Sequence, residues 1–123
     1  MPNKTQRGNY YKRKTKELYE KMGYMVQLTE FTRTILIPGK RPIFTKIDVL
    51  GADGISIHKE KGIIFWNSKH ATDERSRDAQ LRQAKNEFLK YPFPSCVRLE
   101  LVMWEPKEWG ERIMKPHFVD MIG

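Results

Sequence analysis

Apolar and polar positions in the first third of the chain follow the period of a helix and then the period of strands. Across residues 10–22, apolar or weakly polar side chains recur at spacings of four, three and four, which places them on one helix face. Gly23 follows as a C-terminal cap. Strand-forming residues alternate over 24–31 and return at 34–37, before proline, glycine and basic residues at 38–42 interrupt them. The pattern predicts one helix followed by short strands.

The rest of the chain predicts three strands, a second helix and two further strands. These segments cover residues 43–50, 55–58, 63–69, 73–91, 96–105 and 118–122. The run 63–69 has apolar residues on both faces, which is typical of a strand inside a sheet. The apolar stripe of the second helix consists of Leu81, Ala84, Phe88 and Tyr91. The order predicts an α/β domain with a mixed central sheet flanked by helices.

Length and composition limit the class of protein. A chain of 123 residues buries about two-thirds of its unfolded surface as one domain, so we expect residues 1–123 to form a single domain, with 1–8 as a flexible basic N-terminus. The apolar runs are far shorter than the roughly 20 residues of a membrane span, and the N-terminus lacks the apolar core of a secretory signal. We expect a cytoplasmic protein without a membrane partner. The single cysteine, Cys96, is expected to pack in a strand.

The charge of the chain favours nucleic acid as its partner. Lys and Arg number 23 against 15 Asp and Glu, giving a formal net charge of +8, and residues 1–16 hold six basic side chains and no acid. Such an excess attracts phosphate backbones. Solubility alone is the competing explanation of a basic composition.

Basic side chains also lie on the second helix, away from its apolar stripe. Arg75 and Arg82 are seven residues apart and so fall within about 20° of one face, although a solvated helix face explains them equally well. The predicted nucleic-acid contacts are Arg7, Lys12, Arg13, Arg75, Arg77 and Arg82, with Gln80 in support. The aromatic residues Tyr10, Tyr11, Trp66, Trp104 and Trp109 are expected to be packing residues rather than base-stacking platforms.

Three segments of the sequence carry a family resemblance. RGNYYKRKTKELYEKMGYMV is similar to a first helix, FTKIDVLG to a strand with a catalytic aspartate, and IIFWNSKH to a strand with a (D/E)xK motif. In this order they resemble the PD-(D/E)xK nucleases, and within them the small archaeal Holliday-junction resolvases, over residues 7–90. The resemblance implies a restriction-endonuclease-like fold of order α-β-β-β-(β)-α-β. It also implies hydrolysis of duplex or branched DNA with Mg²⁺ or Mn²⁺, by a homodimer.

The resemblance assigns catalytic roles to Asp48, Asn67 and Lys69. Asp48 falls at the metal-binding aspartate, Asn67 at the second acidic ligand and Lys69 at the catalytic lysine. Because strand residues alternate between faces, positions 67 and 69 point the same way, as the motif requires. Asparagine keeps an oxygen that can bind Mg²⁺ but removes one negative charge. Lys12 stands where the resolvases have a supporting glutamate.

These two departures from the family leave alternative hypotheses open. In the first, the protein is a Mg²⁺-dependent endonuclease with Asp48 and Asn67 as metal ligands. In the second, the nuclease fold has a weakened or inactive site and binds DNA or an assembly partner. A third, an RNA-binding protein, rests on charge alone. Acids that would compensate are Glu17, Glu20, Asp53 and Asp73, of which Glu20 best matches the helix face of Lys12, and His70 lies beside the predicted site.

Overall fold

The computed structural model describes residues 4–29, 31–47 and 50–121. Within these residues the chain forms two helices and seven strands. In chain order they are α1 (Lys4–Lys21), β1 (Met25–Leu28), β2 (Phe31–Ile35), β3 (Ile43–Ile47), β4 (Gly54–His58), β5 (Gly62–His70), α2 (Glu74–Leu89), β6 (Val97–Pro106) and β7 (Met114–Asp120). Neither helix is long and apolar enough to cross a membrane.

Five of the strands form one mixed sheet in the order β1-β4-β5-β6-β7. The β1–β4, β4–β5 and β6–β7 pairs are antiparallel, whereas β5 and β6 are parallel. A parallel pair needs a long crossover connection, and α2 provides it. The predicted α/β class, with a mixed sheet and two helices, is confirmed.

The two helices cover opposite faces of this sheet, because alternate residues of β5 and β6 point to opposite sides. On one side, the ring of Tyr19 from α1 stacks on Trp66 of β5 with centroids 5.7 Å apart. On the other side, Phe88 of α2 packs in a buried cluster with Val97 and Leu99 of β6. The core therefore has two layers, one on each side of the sheet.

The first helix runs in register with β5. Three residues of α1, each four apart, meet three residues of β5, each two apart. The pairs are Tyr19 with Trp66, Thr15 with Ser68, and Tyr11 with His70. Four helical residues rise about 6 Å and two strand residues about 6.6 Å, so the contacts stay matched along both elements.

The remaining two strands form a separate hairpin. β2 pairs with β3 in a two-stranded sheet of its own, where the sequence predicted that residues 34–37 would continue or pair with the first strand. The turn at its tip is closed by a hydrogen bond from the Lys40 amide to the Ile37 carbonyl, and Gly39 adopts a positive φ of 76°. Pro38 before that glycine is typical of a type II turn. The tip, residues 36–42, is exposed.

Several element boundaries differ from those predicted. α1 begins at Lys4, so residues 4–8 are helical where a flexible segment was predicted. The periodicity of apolar residues could not predict the first turns of α1, because residues 4–9 include no apolar side chain. β7 begins at Met114, earlier than the predicted residue 118. Cys96 is exposed and lies in the turn before β6 rather than inside a strand, because the two preceding prolines delay the start of that strand.

Candidate functional site

Two polar residues of β5 face a carboxylate of α2. Asn67 is 1% exposed, and its amide Nδ2 donates to Oε2 of Glu87 at 3.3 Å. The Nζ atom of Lys69 lies 3.9 Å from Oε1 of the same carboxylate. Asn67 and Lys69 therefore share a face of the sheet, the geometry that a period of two predicts.

A second carboxylate comes from Asp53, in the loop before β4. Its backbone N–H donates to the Trp66 carbonyl at 2.9 Å and to Oδ1 of Asn67 at 3.1 Å. Its Oδ2 accepts a hydrogen bond from the Ser68 backbone N–H at 2.9 Å. Asp53 is 6% exposed. The Asn67 amide thus joins the backbone of Asp53 to the carboxylate of Glu87.

Each of the two carboxylates lies beside a lysine. Nζ of Lys12, on α1, is 3.6 Å from Oδ1 of Asp53, and Lys69 stands in the same relation to Glu87. The two lysine side chains are 20% and 19% exposed, so their attraction is less screened by water than that of a surface pair. We call Lys12, Asp53, Asn67, Lys69 and Glu87 the Asn67 cluster.

Two glycines of the GADG loop allow this arrangement. Gly51 has a positive φ of 73°, and a Cβ there would lie 3.1 Å from the Glu87 carbonyl oxygen. Gly54 pairs with Trp66 across the β4–β5 ladder, and a Cβ there would lie 2.1 Å from the indole ring. The loop that holds Asp53 can therefore approach both β5 and α2 because it lacks side chains at these two points.

Asp48 lies outside the described residues, so its catalytic and metal-binding roles stay predictions. Of the acids predicted to compensate, Asp53 belongs to the Asn67 cluster and the other three lie elsewhere. Glu20 pairs with Lys16 at 3.6 Å, and eight helical residues place it about 12 Å along α1 from Lys12. Asp73 caps α2 by accepting from the Ser76 amide at 2.7 Å. The remaining acid of this set, Glu17, is exposed.

The predicted nucleic-acid contacts fall into two groups. Three of them, Arg13, Arg75 and Arg82, are exposed. Arg77 is instead engaged in an ion pair, with its Nε 2.8 Å from Oε2 of Glu105.

The other four predicted residues lie on α1, β5 and α2. Lys12 is a member of the Asn67 cluster, and Arg7 lies on α1. His70 stacks on the ring of Tyr11 with centroids 4.8 Å apart, on the α1 side of the sheet. Gln80 is partly exposed on α2. His70 therefore belongs to the face of β5 opposite that of Asn67.

Glu87 is the cluster residue that the sequence analysis did not select. It precedes Phe88 and lies three residues after Ala84, and both of these are buried. An acid on the flank of a buried stripe points toward the sheet rather than into solvent. That position on α2, together with a lysine on the preceding strand β5, is the sequence pattern that would have identified Glu87.

The donor atoms of the cluster fit a hard divalent cation. In residues 4–29, 31–47 and 50–121, no three His, Cys, Asp or Glu side chains group around a metal position. Asp53 and Glu87 nevertheless offer two carboxylates, and Mg²⁺ commonly uses one or two with water in its other positions. The oxygen of Asn67 accepts from the Asp53 backbone N–H, so Asn67 has a positioning role between the Asp53 loop and the Glu87 carboxylate.

No family model, curated protein or solved structure matches this chain. Any function is therefore inferred from the Asn67 cluster, its surroundings and the charge of the chain.

Proposed function

We propose that the protein is a metal-dependent nuclease that hydrolyses phosphodiester bonds in DNA, with Asp53 and Glu87 as the carboxylates that hold Mg²⁺ or Mn²⁺. The observation that supports this most directly is that Asn67 bonds both the Asp53 backbone and the Glu87 carboxylate, and that each of these two acids lies beside a lysine. This combination suits phosphate chemistry, because carboxylates bind the metal and ammonium groups bind phosphate oxygens. The net charge of +8 favours approach of a polyanion.

Each residue of the cluster has a distinct part in this proposal. A bound divalent ion would supply a water of lowered pKa and neutralise charge on the phosphate. Lys69 would bind a phosphate oxygen and orient the attacking water, since its ammonium already lies beside Glu87. Asn67 would hold the Asp53 loop and the Glu87 carboxylate at a fixed separation through its two hydrogen bonds.

The order of elements agrees with the resolvase resemblance only in part. The chain reads α1, β1, β2, β3, β4, β5, α2, β6, but β3, the strand of the FTKIDVLG segment, pairs with β2 in a separate two-stranded sheet and is not a neighbour of β5. The resemblance placed the first aspartate at position 48, 19 residues before Asn67 (67 minus 48), which is longer than the resolvases usually show. Asp53 precedes Asn67 by only 14 residues. Asp53 is thus the better match to the metal-binding aspartate of the family.

A second candidate function is supported by the two lysines. Lys12 and Lys69 each lie beside a carboxylate, so the charges of the cluster balance without a metal. A cation entering the site must compete with both ammonium groups. In this alternative, the domain binds DNA through its basic surface and does not cut it.

Cleavage assays with four variants separate these possibilities. Fluorescently labelled single-stranded, duplex and four-way-junction DNA would be incubated with Mg²⁺ or Mn²⁺ and with wild type, Asp53→Asn, Glu87→Gln or Asp48→Asn. Asp78→Asn is the matched control, because Asp78 is an exposed acid of α2. We expect metal-dependent cleavage that falls at least about 100-fold in the Asp53 and Glu87 variants only, a loss of the size that removing one electrostatic contributor causes.

The other outcomes identify which part of the proposal fails. Loss of cleavage in Asp48→Asn with retention in Asp53→Asn would return the metal site to the aspartate that the sequence resemblance selected. Absence of cleavage by the wild type, with DNA binding that persists in a chelator, would support the second candidate function.

A further inference from the structure

A cleft lined by aromatic rings and cations lies between the N-terminal half of α1 and the start of β7. Its volume is about 290 Å³, close to the lower end of about 300 Å³ for small-molecule sites, so it has room for a single small group. Its lining includes Tyr10, Tyr11, Lys14, Trp104, Arg112 and Ile113. These residues come from α1, β6 and the loop before β7, and they form a concave surface rather than a flat patch.

The aromatic residues of the cleft differ in their exposure. Trp104 is 6% exposed, and its indole Nε1 donates to Oγ1 of Thr15 at 2.8 Å, which fixes the ring as a rigid floor. Tyr10 is 47% exposed, although the sequence favoured a packing role for it. Its ring meets Tyr11 edge to face, with centroids 5.1 Å apart. Tyr10 therefore presents about half of its surface to solvent while Tyr11 supports its ring.

The charged residues of the cleft are both cations. Nζ of Lys14 lies 5.4 Å from the centroid of the Tyr10 ring, and Arg112 is exposed at the other side of the opening. Among the residues that the structure describes, those that line the cleft include no carboxylate. Ring faces stack on nucleobases, and flanking cations bind the phosphates on either side, so this combination matches one unpaired nucleotide.

The cleft lies on the α1 side of the sheet, where one ion pair of the Asn67 cluster is also found. Tyr11 in the cleft stacks on His70, which directly follows Lys69 in β5. Lys12, the next residue of α1, lies 3.6 Å from Asp53. A strand whose base occupies the cleft would therefore lie on the α1 side of the sheet, the side from which Lys12 contacts Asp53.

We propose that this cleft binds an unpaired nucleotide of a DNA strand, with the base on Tyr10 and the adjacent phosphates on Lys14 and Arg112. The inference rests on the proposed nuclease function and specifies its substrate. The scissile bond would lie next to a single-stranded segment, as at a flap, a strand end or a branch point.

Binding measured in a chelator tests the cleft without requiring catalysis. Fluorescence anisotropy would compare a labelled oligothymidylate of about ten nucleotides with a duplex of similar length. Tyr10→Ala should weaken binding of the single strand about tenfold and leave duplex binding unchanged, because the variant lacks the ring on which the unpaired base stacks. Tyr10→Phe keeps the ring and should bind like the wild type. Trp109→Ala is the matched control, because Trp109 is 44% exposed but does not line the cleft.

The two cations are tested through the salt dependence of the same binding. In the double variant Lys14→Ala and Arg112→Ala, the slope of log affinity against log salt should become shallower by about 1.4, or about 0.7 for each phosphate contact. The double variant Lys59→Ala and Lys90→Ala removes two exposed cations elsewhere and should leave the slope unchanged. Circular dichroism would verify that each variant is folded.

The result that would overturn this inference is single-strand binding by Tyr10→Ala equal to that of the wild type, or an equal loss in Trp109→Ala. Failure of the nuclease proposal would look different. In that case the oligothymidylate would still bind through Tyr10, whereas no DNA would be cut in Mg²⁺ or Mn²⁺.

Discussion

The two faces of β5 are built from opposite kinds of side-chain contact. On the face toward α1, the strand presents Trp66, Ser68 and His70. The two ring side chains stack on tyrosine rings of α1, and Ser68 forms a hydrogen bond with the hydroxyl of a threonine. On the face toward α2, Asn67 and Lys69 meet the carboxylate of Glu87. One strand segment therefore combines a neutral packing surface with a charged cluster.

The difference shows how a short strand serves structure and chemistry together. Because consecutive residues point to opposite sides, a contact on the neutral face fixes the position of its neighbour on the charged face. Charged groups are costly to bury unless they are paired. Both acids of the Asn67 cluster satisfy this requirement, Glu87 through Lys69 on the face toward α2 and Asp53 through Lys12 of α1. Every buried polar side-chain atom in residues 4–29, 31–47 and 50–121 has a hydrogen-bond partner.

The largest expected effect comes from disturbing the neutral face. Gly54→Ala places a Cβ 2.1 Å from the ring of Trp66, which is fully buried and cannot move aside. We expect the free energy of unfolding to fall by about 3 kcal/mol, in the upper part of the range for overpacking. Gly8→Ala is the matched control, because nothing lies within 4 Å of its added Cβ, and it should raise helix stability by up to about 1 kcal/mol. Urea unfolding measures both, and equal effects of the two variants would contradict the packing described for Gly54.

A smaller effect is expected from adding a charge to the other face. Asn67→Asp places a third carboxylate beside Asp53 and Glu87 and removes the hydrogen bond to Glu87. Without metal, the free energy of unfolding should fall by about 2 kcal/mol, the cost of a poorly satisfied buried group. Addition of Mg²⁺ or Mn²⁺ should raise the melting temperature of this variant more than that of the wild type, since metal binding is linked to folding.

Thermal unfolding in a chelator and in excess metal measures this difference. Asn86→Asp, at an exposed position of α2, adds the same charge away from the cluster and should show neither effect. An Asn67→Asp variant that responds to metal no more than Asn86→Asp would argue against a metal position between Asp53 and Glu87.

The competition between lysine and metal should produce a change of about tenfold in metal affinity and little change in stability. Lys12→Gln removes the ammonium 3.6 Å from Asp53, so a cation meets less repulsion, and one partly exposed pair accounts for about 1 kcal/mol. The metal concentration for half-maximal cleavage should therefore fall about tenfold, which corresponds to about 1.4 kcal/mol. Lys16→Gln, whose partner is Glu20, is the control. Unchanged metal dependence in Lys12→Gln would mean that Asp53 does not hold the cation.

The smallest effect concerns alkaline pH and the neutral face. Burial and the hydrogen bond to Glu100 raise the pKa of Tyr19. An unfolded tyrosine ionises near pH 10, so above that pH the unfolded state binds fewer protons than the native state and stability falls as pH rises. Below about pH 9 this contribution is fully present. Urea unfolding between about pH 8 and pH 11 should show a shallower alkaline loss in Tyr19→Phe than in the wild type, and identical slopes would contradict the assigned pKa direction.

Periodicity in the sequence predicted the order of the sheet elements, because helices and strands repeat at different intervals. It also predicted that Asn67 and Lys69 share a face. It could not identify Glu87, because the contact between β5 and α2 depends on how two elements pack and not on spacing within either. The separation of the β2–β3 hairpin was missed for the same reason, since strand pairing depends on distant residues.

The position of the hairpin has a consequence for how the domain can vary. β1 and β4 are already joined at its base by the Leu28–Gly54 pairing and by the hydrogen bond from the Thr29 amide to the Asp53 carbonyl. The body of the sheet thus closes without the residues between them. The hairpin is in effect an insertion between β1 and β4, so a change in its length should leave Asp53 in place.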